Sequence, residues 1–169
     1  MTVTVTVCRQ PAGPLTSRFH IDDTDVTSSW QGYLWALADR LRCVVTEDPL
    51  ALDALLAPRA SARWLSPPLS DLVLVEEFLS ALSRYGFTDR QAAAAYPIFF
   101  SCVLGLLRVA TADTTDAPLT SLAATDDAAT PMIHRLRPSL SEDHTREEYE
   151  DAVEAMLTRL ERSLEYDES

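Results

Sequence analysis

Between Gln91 and Leu107 the chain reads QAAAAYPIFFSCVLGLL and carries no formal charge. No other feature constrains the fold as much, because an uncharged run of this length approaches the ~20 apolar residues of a membrane span and must be covered by lipid, by the chain's own core or by a partner. Thr88 and Gln91 stand three apart just ahead of it, the spacing of a capping box, and Asp89 puts negative charge at the positive end of the helix dipole. A helix is therefore expected from Asp89 to about residue 110. On a helical wheel Ala94, Pro97, Ser101 and Gly105 fall on one side with Arg108, while Tyr96, Phe99, Val103 and Leu106 fall on the other. One side is small and the other bulky, and a helix apolar all round is buried on both. The polar capped start, Arg108 and the lack of a basic flank argue against lipid, although Ser101 and Gly105 have small-xxx-small spacing. The bulky side is expected to fill a core or line a pocket, and the small side to receive another helix at close range.

Helical periodicity recurs along the chain. Ser28 or Ser29 can cap a helix whose stripe is Trp30, Leu34, Leu37, Leu41 and Val44, ending near Glu47-Asp48-Pro49. A short helix over residues 49 to 56 follows, then an irregular link that holds Trp64. The next helix, about residues 69 to 85, places Leu72, Val75, Leu79 and Leu82 on one face with Phe78 beside them, and stops at Gly86, which suits a left-handed cap. Pro131 to Leu140 offers a turn or two of helix. The last helix opens at a second capping-box pair, Thr145 and Glu148, and carries Tyr149, Val153, Met156, Leu160 and Leu164 as its stripe. Two segments read differently. Residues 1 to 29 are expected as a non-helical or disordered arm, since TVTVTV alternates with period two and Pro11, Gly13 and Pro14 break it. Residues 111 to 130 are nearly all Thr, Asp and Ala and are expected as a mobile loop.

The fold class that follows is all-α: one helical-bundle domain of about five to seven helices over residues 30 to 169, a size one core can serve. Its last two long helices are expected to meet their copies in a second subunit and close a four-helix bundle about a two-fold axis. Ala94, Pro97, Ser101, Gly105 and Arg108 would form one side of that seam and Tyr149, Val153, Met156 and Leu160 the other. One of Glu147, Glu150 and Glu154 would pair with Arg108.

Formal charge is −12, and all fourteen basic residues are Arg. So acidic a surface repels a phosphate backbone, so direct nucleic-acid binding by this chain alone is not expected. Cys8, Cys43 and Cys102 are odd in number, far apart and free of any CxxC, which points to a reducing cytoplasm rather than a disulfide scaffold or zinc site. The first residues lack the basic and apolar regions of a secretory signal. No membrane association is expected.

Catalytic features are sparse. His20, His134 and His144 have no partner at metal-binding spacing, and no GxSxG, phosphate-binding loop or GxGxxG occurs. No metal, cofactor or catalytic residue is expected. Aromatic side chains are the better lead: Trp35, Trp64, Phe78, Tyr96, Phe99 and Phe100 come from successive elements that a helical domain packs together, and they could wall an apolar pocket. Pro97 removes the backbone bond to the Ala93 carbonyl, and a kink there would either open space beside Tyr96 and Phe99 or relieve crowding.

The stretch SRYGFTDRQAAAAYPIFFSCVLGLL, with Gly86-Phe87-Thr88-Asp89, then Ala92, Tyr96, and Ser101-x-Val103-Leu104-Gly105, resembles the C-terminal regulatory domain of the tetracycline-repressor (TetR) family of transcription regulators. The similarity extends through MIHRLRPSL into the acidic start of the last helix and covers about residues 30 to 165. It implies a homodimer whose last two helices form the interface, and a pocket between the preceding helices for a small, often apolar effector. Members also carry a basic N-terminal helix-turn-helix domain. Nothing in residues 1 to 29 reads as two packed helices, so the resemblance implies the sensor half without the DNA-reading half in this chain. Two further readings of the same residues stay open: a small helical enzyme or effector-sequestering protein using that pocket, and a dimerisation module with a filled core.

Overall fold

The computed structural model describes residues 18, 19, 21, 28–57, 64–112, 131–140 and 145–167. Among the described residues the chain is helical and contains no strand. Six helices follow one another among the described residues: α1 (Trp30–Glu47), α2 (Leu50–Leu56), α3 (Leu72–Arg84), α4 (Asp89–Ala112), α5 (Pro131–Leu140) and α6 (Thr145–Asp167). The all-α expectation holds. The Thr-Val alternation at the N-terminus and most of the expected loop, residues 113 to 130, lie outside the described residues.

Local signals set the helix ends. Ser29 Oγ accepts from Gly32 N–H at 3.1 Å and starts α1. Asp71 Oδ1 accepts from Val73 and Leu74 N–H at 3.1 and 3.2 Å and starts α3, three residues later than the apolar pattern suggested. At the other end of α3, Gly86 N–H donates to the Ser83 carbonyl and Phe87 N–H to the Leu82 carbonyl, with Gly86 at φ +92°. This is the paired bonding of a Schellman cap, and its left-handed residue is where glycine is needed. The capping box of α4 is also formed: Thr88 N–H donates to Gln91 Oε1 at 2.9 Å and Gln91 N–H to Thr88 Oγ1 at 3.3 Å.

α4 is the central helix. It packs against α6, α3, α1 and α2. Its bulky side buries Tyr96, Phe99, Phe100, Val103 and Leu107, the core to which α1 adds Leu34, Leu37 and Leu41, and α3 adds Phe78 and Leu82. Each such side chain contributes roughly 1.5–3 kcal/mol by leaving water, so the core is where the fold draws its stability. α4 also meets the length and hydropathy of a membrane span, with 44% of its most apolar window buried inside the bundle. Packing on four helices is what its bulky side serves.

A part of the chain that sequence periodicity did not reach also joins the core. Phe19, in a short 3₁₀ turn with Arg18, is buried among the core residues. Arg18 holds it there: its guanidinium pairs with Asp48 at 3.1 Å and Glu47 at 3.6 Å, and its carbonyl accepts from Arg40 Nε at 2.7 Å. Cys43 corrects another expectation, for it is joined in a disulfide, whereas Cys102 carries a free thiol whose pKa burial pushes up. Spacing along a sequence reports zinc motifs well but says nothing of which distant thiols the fold brings together.

Candidate effector site and association surface

Four of the six aromatic residues named from sequence come together. Phe78 of α3 lies against Phe100 and Phe99 of α4, with ring centroids 5.1 and 5.4 Å apart, and Phe99 stands edge-on to Phe100 at 5.1 Å. Tyr96 completes the cluster at 5.0 Å from Phe100 and 6.1 Å from Phe78. All four are buried, and these separations are those of rings in direct contact. The rings therefore fill the space between α3 and α4 with one another. The Tyr96 hydroxyl donates to the Pro67 carbonyl at 2.7 Å, tying α4 to the link before α3, and burial pushes its pKa up to about 12. The cluster offers apolar contact with a single polar tip that is already engaged.

The two tryptophans are placed differently. Trp35 on α1 is half-buried and packs on the edge of the core. Trp64 is 76% exposed and stands outside the cluster, because Leu69, and in part Leu65, are the members of its segment turned inward.

A separate concavity lies where the start of α4 meets the end of α6. It is a groove of about 210 Å³ lined by Arg90, Gln91, Ala94, Ala95, Leu160, Ser163 and Leu164. Ala94 and Leu160 are the residues here that the sequence reading had named, both for a subunit seam and not for a groove within one chain. Among the described residues no group of three or more His, Cys, Asp or Glu side chains could hold a metal ion. His134 is exposed on α5, while His20 and His144 lie outside the described residues.

The residues named for a subunit seam divide by helix. On α4, Ala94, Ser101 and Gly105 are exposed and Pro97 is half-buried. A Cβ built on Gly105 would meet nothing within 4 Å, so the backbone there is open to a neighbour's approach. On α6, however, Tyr149, Val153, Met156 and Leu160 are buried in the core of their own chain. The Tyr149 hydroxyl donates to the Ala38 carbonyl of α1 at 2.7 Å, and the Arg42 guanidinium lies 5.9 Å from its ring centroid. α6 has one apolar stripe, and α1 and α4 consume it; what α6 turns outward is mostly polar, with Glu147, Glu148, Asp151 and Glu154 alongside Arg146, Arg159 and Arg162. The expectation that those four side chains form the second half of a seam is corrected accordingly. Arg108 is corrected too: it pairs with Asp53 of α2 at 2.6 Å, since α2 and not α6 flanks its side of α4.

Sequence reasoning missed α5 as a surface. Met132, Ile133 and Leu136 are 54, 57 and 42% exposed. No family model, curated protein or solved structure matches the chain.

Proposed function

We propose that this chain is a homodimerising regulatory module of the tetracycline-repressor type, with the outward face of α4 as its seam and the α3–α4 aromatic cluster as the place where a small apolar effector enters. The observation that carries the reading is the outward face itself. Between Arg90 and Arg108, Ala94, Ser101 and Gly105 leave an exposed strip without charge along α4 in a chain whose formal charge is −12. Two such chains approach most easily where neither presents charge, and small residues let helix backbones come close. The seam is then α4 against α4 of a second copy, with α6 supporting it from behind.

For the effector, Phe78, Tyr96, Phe99 and Phe100 supply the apolar, aromatic wall that such a ligand prefers. Since the rings touch, entry requires Phe99 or Phe100 to swing out of contact. An effector that binds only the opened arrangement shifts the balance between two packings, and this is how a signal would reach the seam. DNA reading and transcriptional output belong to the same reading and would be supplied by a reader domain or partner.

The filled cluster favours a second reading, a dimerisation module without a ligand. Two measurements test the seam and then separate the readings. Sedimentation equilibrium of Gly105→Leu should give monomer where the native chain gives dimer, and an unchanged dimer would place the seam elsewhere. Thermal melting against a panel of small apolar compounds should then raise Tm in the native chain and not in Phe99→Ala; a panel without any shift leaves the pure dimerisation module.

A further inference from the structure

Asp71 heads the buried face of α3. Leu74, Val75, Phe78 and Leu82 follow it at spacings of three, four, seven and eleven, all of them buried, and Asp71 itself is 5% exposed. One carboxylate oxygen, Oδ1, accepts from the Val73 and Leu74 N–H groups. The other, Oδ2, is buried and accepts no hydrogen bond from the described residues. Capping a helix needs one oxygen, and a serine hydroxyl would supply it, so the cap does not account for the second. A carboxylate oxygen shut away from water is costly unless a donor meets it.

The hydroxyls tied to this segment have already committed their protons. Four residues before Asp71, the Pro67 carbonyl accepts from the Tyr96 hydroxyl at 2.7 Å, and the hydroxyl of Ser70 donates to the Ala54 carbonyl at 2.7 Å. What each oxygen has left to offer is a lone pair. Pro67 to Asp71 thus links the Tyr96 hydroxyl, at one corner of the aromatic cluster, to the head of α3. Phe78 of the same cluster lies two turns along Asp71's own face, about 10 Å at 1.5 Å per residue. An anionic oxygen at one end and aromatic rings at the other select a ligand with a positively charged nitrogen, since the carboxylate takes its N–H bonds and ring faces attract cations. A chain of formal charge −12 also concentrates cations around itself.

We infer that Asp71 Oδ2 anchors a protonated amine, so that the small apolar effector proposed above is an organic ammonium whose body reaches from the head of α3 to the α3–α4 rings. The placement of the body rests on that earlier reading of the rings, while the anchor rests on Asp71. A neutral compound of the same shape leaves Oδ2 without a charged partner and an anionic one is repelled by it, which makes charge the basis of selection.

The test uses the full chain and matched probes: phenethylamine, phenylpropylamine and phenylbutylamine, the corresponding alcohols and the corresponding carboxylates. Calorimetric titration should show the native chain binding at least one amine roughly 10- to 100-fold tighter than its alcohol, the range for a hydrogen bond to a charged group, and binding none of the carboxylates. Asp71→Asn keeps an oxygen for the cap and loses the charge, and Asp71→Ser keeps the cap and removes the second oxygen. Both should fold as the native chain does, followed by circular dichroism, and both should bind amine and alcohol alike. An amine preference that survives in either folded variant would overturn the inference. Equal binding of amine and alcohol by the native chain, lost in Phe99→Ala, would discard the anchor and keep the effector reading, with a buried water left as the partner of Oδ2. An amine preference lost in Asp71→Ser yet untouched by Phe99→Ala would uphold the anchor and move the body of the ligand off the rings. A native chain that binds none of the probes would overturn both.

Discussion

Replacing Gly105 with alanine gives opposite predictions for a free surface and for a seam. Gly105 lies inside α4, where glycine costs a helix about 0.5–1 kcal/mol relative to alanine through backbone entropy. Within one chain a Cβ at this position meets nothing within 4 Å, so no clash offsets that gain. The isolated chain should therefore be stabilised, by about 2–4 °C in Tm for a gain near 1 kcal/mol in a domain of this size. In a dimer packed through α4 the same methyl enters a close helix contact, once from each subunit, and overpacking costs about 1–3 kcal/mol per site. At the middle of that range two sites cost about 4 kcal/mol, roughly a thousandfold weaker dimer, which exceeds the gain of about 2 kcal/mol that two chains draw from the helix. Thermal melts at low and high protein concentration should thus cross: Gly105→Ala melts above the native chain when dilute and below it when concentrated. Gly86→Ala is the matched comparison, because its φ of +92° also has open space around it, so only backbone strain acts. It should lose about 1–2 kcal/mol at every concentration. A gain at both concentrations for Gly105→Ala, with unchanged sedimentation, would refute the seam.

Other expectations follow from the core and its edges. Phe19→Ala should destabilise the fold by about 3–5 kcal/mol, the usual loss for a buried phenylalanine, and denaturant melts would show it; a change below 1 kcal/mol would mean that the segment docks without supporting the core. The buried phenols make stability fall at high pH. Burial raises the Tyr96 pKa from 10.0 to about 12 and raises Tyr33 and Tyr149 as well. A raised folded-state pKa contributes stability that is fully present below pH 10 and is lost as pH climbs through the folded value. Unfolding by base should begin above pH 10, and Tyr149→Phe should reduce the steepness of that loss; a melt flat from pH 9 to 12 would contradict the burial of these hydroxyls.

Much of the fold was legible because helix ends announce themselves locally. Ser29, the Thr88–Gln91 pair and Gly86 each satisfy backbone groups within four residues of themselves, so the sequence alone carries the whole interaction. Asp71 follows the same rule, but apolar Leu69 ahead of it drew the expected start of α3 too early. Partners across the fold were not legible. The α6 stripe was plain as a stripe, yet a period of three and four is the same whether the stripe meets its own core or another chain. Only the arrangement of α1 and α4 around it decides, and that arrangement claims Tyr149 through a carbonyl 111 residues away in sequence. Phe19 was hidden for a related reason, since a lone aromatic in a non-periodic segment has no pattern to reveal its burial.

The aromatic cluster shows the same limit on the functional side. Composition and spacing brought Phe78, Tyr96, Phe99 and Phe100 together correctly, but whether rings enclose a space or fill it depends on fractions of an ångström between helices, which no sequence period encodes.

The charge balance links these surfaces. Two bodies of formal charge −12 repel, and salt screens that repulsion over a Debye length of about 10 Å at 0.1 M, so association through the uncharged strip of α4 should strengthen as salt rises. A seam held by ion pairs would have the opposite sign, because salt weakens attraction between exposed charges. Dimer affinity in the native chain that falls as salt rises would therefore mean that charged side chains, and not the uncharged strip of α4, hold the two chains together.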